Sequence, residues 1–343
     1  MDASKTCVSS SLPDRHHFRK EAVVKKLCFA CVLCVLVSLL AAGAPPVFGA
    51  EKVQRFSFSA SNPGGTWYTM AGGLVQLLNS KMPESTRFDI VASGGSVENT
   101  RRLAMGEADI TLTYSSHLWE AKNGKGILEG RPSDNPRVLL EVYGSSHYFV
   151  TLKDKNIRSM KDLEGKKVVI GSPGSGSSDN SRRSLSALGI KVSESERAFN
   201  DAARALQDGH VDAMGMSGHP ASGIVELAAS KDIYIIPFSQ EELEKIVQIT
   251  PFFDKGEMPA NIYKGQDKPV PCFFFSVYLA ADKSMPEDVA YKVMEIALSP
   301  EGKEYLTKVH PQFKGMRNNA SGVKQIGVPY HPGAAKYWKG NAK

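Results

Sequence analysis

From residue 55 onward, short bursts of alternating apolar and polar positions give way to longer stretches with helical spacing. RFSFSA (Arg55–Ala60) has the two-residue period of a strand, and MAGGLVQLLN (Met70–Asn79), after the turn SNPGGTWYT, places its apolar residues on one helical face. FDIVAS (Phe88–Ser93) predicts a second strand, VENTRRLAM (Val97–Met105) a helix closed by Gly106, and DITLTY (Asp109–Tyr114) a third strand. The cycle then begins again with strand KKVVIGS (Lys166–Ser172), helix DNSRRSLSAL (Asp179–Leu188) closed by Gly189, helix DAARALQDG (Asp201–Gly209) and strand VDAMGMS (Val211–Ser217). Strands alternating with crossover helices predict an α/β protein built on parallel strands. Within the second cycle, ARALQDGHVD (Ala203–Asp212) repeats the Leu, Gly and Asp of TRRLAMGEAD (Thr100–Asp109) at a constant offset of 103, which points to two similar α/β units.

Two long apolar runs join these units. VLLEVYGSSHYFVTLK (Val138–Lys153) leaves the first and VPCFFFSVYLAA (Val270–Ala281) returns from the second. PEDVAYKVMEIALS (Pro286–Ser299) and PEGKEYLTKVH (Pro300–His310) then read as helices with Pro at their first position and acidic residues in the first turn. The expected organisation is discontinuous: a first lobe of residues 50–152 completed by 273–343, and a second lobe of residues 153–272. Two lobes joined by two crossing segments leave a cleft between them, where a small ligand binds.

Composition removes several alternatives. The 343 residues are 42% hydrophobic and 23% charged with a net charge of +6, and they contain no block of five like charges, which excludes a disordered chain or a nucleic-acid-binding arm. Residues 27–44 form an uncharged apolar run after Lys20, Lys25 and Lys26, followed by small residues, as in an export signal at residues 1–49. Cleavage is expected after Gly49 or Ala50, with an uncleaved membrane anchor as the alternative. Residues 1–49 hold six of the 42 Lys and Arg and three of the 36 Asp and Glu, so the remaining chain is nearly neutral at +3. It keeps one of the five cysteines, Cys272, which reads as a buried strand residue.

Three glycine- and serine-rich turns carry the candidate chemistry. They are Asn62 to Tyr68 (NPGGTWY), Ser93 to Asn99 (SGGSVEN) and Ser172 to Ser178 (SPGSGSS), each between a predicted strand and a predicted helix. Glycine lets a ligand approach the backbone, and the first turn of the following helix offers unpaired N–H groups at the positive end of its dipole, an arrangement suited to carboxylate or phosphate. One such turn is an ordinary strand-to-helix connection; three divided between two units favour a binding site. Trp67 and Tyr68 follow the first turn and are candidate ligand walls, while Tyr114 and Ser115 end the third strand.

Catalytic patterns are weaker. GSPGSGSS lacks the Lys-Ser/Thr of a Walker loop and the third glycine of a dinucleotide fingerprint, and the six histidines after residue 49 show no zinc-ligand spacing. Ser116 and His117 are adjacent, which does not make a nucleophile and its base. No cofactor, metal site or nucleic-acid partner is expected. Arg182, Arg183 and His219 follow strand ends or turns, and for them cleft and solvent stay open as alternatives.

GGTWY (Gly64–Tyr68), GGSVENTRRLAMGEADI (Gly94–Ile110), MKDLEGKKVVIGSPGSGSS (Met160–Ser178), DGHVDAMGMSGHP (Asp208–Pro220) and HPGAAKYW (His331–Trp338) together resemble the TAXI-type solute-binding proteins of TRAP (tripartite ATP-independent periplasmic) transporters. The resemblance implies a two-lobed type II periplasmic-binding-protein-like fold, each lobe a mostly parallel sheet flanked by helices, that closes on glutamate, 2-oxoglutarate or a similar organic acid. It further implies a monomeric, non-enzymatic periplasmic receptor serving TRAP membrane permease subunits. An ABC-type receptor of the same fold, and an enzyme built on it, are the competing readings. Carried over position by position, the site falls on Gly65, Thr66, Trp67, Tyr68, Ser96, Asn99, Tyr114, Ser115, Ser175, Ser177 and Ser178. Relatives often have Gly-Ser-Gly-Thr where this chain has Gly174 to Ser177, a lost methyl that bears on pocket shape.

Overall fold

A computed structural model describes residues 53–63 and 65–341; the export signal and its cleavage point lie outside the described residues. The chain begins with β1 (Gln54–Ser59), α1 (Thr66–Lys81), β2 (Thr86–Val91), α2 (Ser96–Met105) and β3 (Ile110–Tyr114). β1 lies between β2 and β3, parallel to both. α3 (Ser115–Asn123) follows β3 with no intervening loop, and β4 (Pro136–Leu152) then runs across the molecule. A second triplet is built from β5 (Lys167–Gly171), α4 (Gly176–Leu188), β6 (Ser193–Glu196), α5 (Phe199–Gln207) and β7 (Ala213–Ser217), with β5 parallel to β6 and β7 on either side. After α6 (Ser222–Ser230), β8 (Ile233–Ile236), α7 (Gln240–Val247) and β9 (Asp254–Met258), the chain returns through β10 (Val270–Asp282). It ends in α8 (Glu287–Leu298), α9 (Pro300–Val309), α10 (Ala320–Ile326) and α11 (Pro332–Gly340).

One sheet runs β2-β1-β3-β10-β4-β7-β5-β6, so the order within one outer triplet mirrors that within the other. The two apolar runs form the middle of this sheet: β10 and β4 are antiparallel to each other and to their outer neighbours. Helices cover both faces of such strands, which explains near-continuous apolar sequence in place of alternation. Tyr148, Phe149, Phe273, Phe275 and Tyr278 are all at most 2% exposed. Cys272 is buried among them, where burial pushes its thiol up to about 12, as expected of a packing residue.

The 103-residue echo has an architectural cause. α2 and α5 begin at residues 96 and 199, and β3 and β7 at residues 110 and 213, all at the same offset. Asp109 accepts the backbone N–H of Ser57 in β1 at 2.7 Å, and Asp212 accepts that of Lys167 in β5 at 3.0 Å. Each aspartate therefore ties the entrance of its strand to the neighbouring strand, satisfying a donor that the ladder leaves open. α8 and α9 pack against α1, so the C-terminal segment returns to the first triplet. Arg317 fixes that return by a bidentate pair with Glu141 of β4 at 2.9 and 3.0 Å, and Asn319 donates to the same carboxylate at 2.6 Å.

Burial also sets a pH response. On β4, His147 is fully enclosed, with Nδ1 2.9 Å from Ser217 Oγ and Nε2 3.2 Å from Ser181 Oγ, and burial pulls its pKa down to about 3 against the opposing pull of the Asp179 charge. An unfolded histidine titrates near ~6.5, so below that pH the unfolded chain takes up a proton that the folded chain refuses. Stability is therefore expected to fall by up to about 1.4 kcal/mol per pH unit from ~6.5 toward ~3 through this residue alone. Urea unfolding at about pH 7.5 and about pH 5.5 should show this loss, and His147→Gln should flatten it. An equal slope in the variant would reject the assignment.

Candidate functional site

The glycine turns are tighter than the periodicity implies, because the helices start inside them. α1 begins at Thr66 in place of Met70, and α4 at Gly176 in place of Asp179. The residues expected to form loops are thus the first turns of helices of 16, 10 and 13 residues, α1, α2 and α4. Gly65 and Gly95 precede α1 and α2 without a side chain to cap them, and Gly95 has a φ of 125°, a conformation that favours glycine. Ser175 caps α4 by accepting the N–H of Ser178 at 3.1 Å.

All three N-termini meet at the carboxyl ends of the strands, where open α/β sheets bind ligands. They surround a cavity of about 40 Å³. Thr66 and Trp67 of α1, Gly95 and Ser96 at α2, and Tyr114 at the end of β3 line it from one side. Ser175, Gly176 and Ser177 of α4, Phe199 at the start of α5, and Met216 to Gly218 at the end of β7 line it from the other, with Tyr143 of β4 beneath. Trp67 donates its indole N–H to Tyr143 Oη at 2.7 Å and meets Tyr114 edge-on with ring centroids 5.3 Å apart. Burial raises the pKa of the Tyr114 phenol well above the usual tyrosine value against the opposing pull of the nearby Ser217 and Ser177 hydroxyls, and it does the same for Tyr143. Both phenols are neutral hydrogen-bonding groups.

Six of the eleven expected site residues line this space: Thr66, Trp67, Ser96, Tyr114, Ser175 and Ser177. Five do not. Gly65 caps α1 behind it, and Tyr68 turns against the hydrophobic core. Asn99 is fully buried and fully used, donating to Ala60 and Leu112 carbonyls at 2.8 and 3.0 Å and accepting from Ser59 and Ser93 at 2.8 and 2.6 Å. It knots three strand ends together. Ser115 is buried as the first residue of α3, and Ser178 bonds Glu196 and Arg182 instead of facing inward. Tyr143, Phe199, Met216 and Ser217 were missed. Ser217 had a signal, since it is the 103-offset counterpart of Tyr114.

The walls touch over the cavity. Glu98 N–H donates to Gly174 O at 3.1 Å, and Asn62 bonds Ser172, so loops from the two triplets are in contact. Behind Ser96 runs a part-buried charged chain. Ser96 Oγ is 2.7 Å from His117 Nδ1, His117 Nε2 is 3.0 Å from Asp179, and Arg183 bridges Asp179 and Glu120 at 2.6 Å each. Burial would raise the Asp179 pKa, but His117 and Arg183 outweigh it and hold the carboxyl at about 2. Ser96 and Asp179 thus hold the His117 ring by its two nitrogens. The Ser-His-Asp order resembles a hydrolytic triad, but Ser96 Oγ also accepts the Tyr114 N–H at 2.9 Å, and Asp179 is shared with Arg183. That serine holds the β3–α3 corner. Arg182 pairs with Glu194 and Glu196 away from the cavity, and the His219 ring bonds Ser146 at 2.7 Å. Among the described residues no group of three or more His, Cys, Asp or Glu is placed to hold a metal ion, and no helix is long and apolar enough to cross a membrane. A larger hollow of about 610 Å³ lies at Leu152 to Asp154 and Ala228 to Asp232, at the carboxyl end of antiparallel β4 and therefore on the edge of the sheet opposite the crevice.

Comparison with solved structures agrees with this architecture. A protein described as a periplasmic transporter is 14% identical, with a TM-score of 0.52 over 87% of this chain and 99% of its own. XAC2383 from Xanthomonas citri, solved with ATP, is 11% identical with a TM-score of 0.49 over 84% and 99% of the two chains. A putative L-cystine ABC transporter from Listeria monocytogenes is 16% identical with a TM-score of 0.48 over 77% and 97%. At these identities the likeness is one of fold; with the mirrored triplets and the two antiparallel strands between them, it makes the fold type II periplasmic-binding-protein-like. A family model described as NMT1-like spans residues 58–341, and the chain belongs to the NMT1-like family.

Proposed function

We propose that this protein is an exported receptor that closes on a small anionic solute between its two sheet triplets and delivers it to a membrane permease, with no catalytic step. The observation that carries this reading is the meeting of three helix N-termini, drawn from both triplets, around one aromatic-walled cavity. The triplets are taken as the two lobes, residues 50–152 with 273–343 and residues 153–272, and β4 and β10 as the segments that bend between them. Opening the Glu98–Gly174 and Asn62–Ser172 contacts enlarges the cavity, which in the closed arrangement has room for about one water, and admits the solute, over which the two triplets then close.

Trp67 lines the cavity, so its fluorescence is expected to report binding directly. In a thermal-shift screen of organic acids, a true ligand should stabilise the protein by about 2.7 kcal/mol at a hundredfold excess over its dissociation constant. Silence toward every anion, together with turnover of a substrate, would reject the receptor. The sequence motifs point to a TRAP permease in the periplasmic membrane system. Co-purification with membrane subunits tests that assignment: an accompanying ATPase would make it an ABC receptor instead. The receptor is expected to stay monomeric with and without solute in light scattering.

A further inference from the structure

The character of the cavity wall narrows the solute. Its lining supplies hydroxyls from Thr66, Ser175 and Ser177, those of Ser96 and Ser217 being engaged by His117 and His147, and apolar surface from Trp67 and Met216, and among the described residues it includes no Lys, Arg, His, Asp or Glu. The nearest carboxylates are already engaged. Asp179, one turn into α4, is held by His117 and Arg183, and Glu98, one turn into α2, pairs with Arg102 at 2.5 Å and accepts the Gly94 N–H at 2.7 Å.

An α-ammonium group entering this space finds no anionic partner, and a second carboxylate finds no cation. Either charge would be buried unpaired, which is far costlier than burying an uncharged group. One anion is different. Each helix N-terminus contributes roughly half a positive charge, partly offset in α2 and α4 by Glu98 and Asp179 in their first turns, so the three together suit a single negative charge.

Resting on the receptor reading, we infer that the solute is a singly charged acid with an uncharged, largely apolar body. Amino acids and dicarboxylates are poor ligands for the same site. This departs from the glutamate or 2-oxoglutarate that the sequence resemblance implies.

Isothermal titration of the purified protein with matched acids tests the inference. The set is 4-methyl-2-oxopentanoate, leucine, 2-oxoglutarate and glutamate, extended to aromatic and hydroxy monocarboxylates. The best monocarboxylate is expected to bind about a hundredfold or more tighter than its amino-acid or dicarboxylate counterpart. Glutamate, leucine or 2-oxoglutarate binding as tightly as the best monocarboxylate overturns the inference and leaves the receptor intact. No binding by any anion overturns both.

Discussion

Gly94→Ala is expected to lower solute affinity by on the order of a hundredfold while leaving the solute-free protein folded. A Cβ at Gly94 would lie 2.1 Å from the carbonyl oxygen of Pro173 and 2.9 Å from Cα of Gly174, both backbone atoms of the opposite triplet. No rotamer relieves such a clash. Gly94 is absent from the positive-φ positions, so alanine suits its own backbone and the effect falls on the approach of the two loops. The loops must then stay apart by about an ångström, breaking the Glu98–Gly174 bond and spreading the three N-termini. Only the closed arrangement aims all three at one anion, so the binding-competent fraction falls and the apparent dissociation constant rises with it. Titration calorimetry and a thermal melt on the same preparation separate the two effects. Unchanged affinity would show that the solute binds without this contact.

Arg183→Met is expected to be the most damaging single change to stability, costing about 3–5 kcal/mol. The guanidinium sits between Asp179 and Glu120, and its removal leaves two carboxylates in a region where Glu120 is 4% exposed. Methionine fills the space without neutralising either. The pairs join α3 of one triplet to α4 of the other, so the cluster also holds the triplets together. Combining Arg183→Met with Asp179→Asn and Glu120→Gln should recover most of the loss, because the desolvation cost disappears with the charges. In the unmodified protein Asp179 titrates at about 2, below the ~3.9 of an unfolded aspartate, so its stabilisation is complete above pH ~4 and is lost as pH falls toward ~2. Urea unfolding of the single and triple variants measures both predictions; a loss under about 1 kcal/mol would mean that solvent already screens the cluster.

Much of the scaffold was legible from local signals. Periodicity placed β1, β2, β3, β5 and β7 within two residues of their observed ends, and the 103-residue echo anticipated the mirrored triplets. The predicted starts of α1 and α4 fell late, because glycine- and serine-rich sequence reads as loop although its residues form first helical turns when caps and strand ends hold them. β6 and β8 have four residues each, β9 (DKGEM) carries little apolar alternation, and α3 follows β3 with no break, so periodicity has little to mark them by.

Six of the expected turn and strand-end residues line the cavity, and those that turn away from it share one cause. Asn99 and Ser178 lie in the same first turns as true lining residues, but a helix advances about 100° per residue, so neighbours in sequence face different surroundings. The glycine turns and strand ends determine, by backbone chemistry alone, where the three helix N-termini converge. Which hydroxyls line the cavity between them, that among the described residues no ionised side chain joins them, and that Asp179 is engaged by His117 across 62 residues of sequence are decided only when the two triplets close, because pairing and desolvation depend on distance in space.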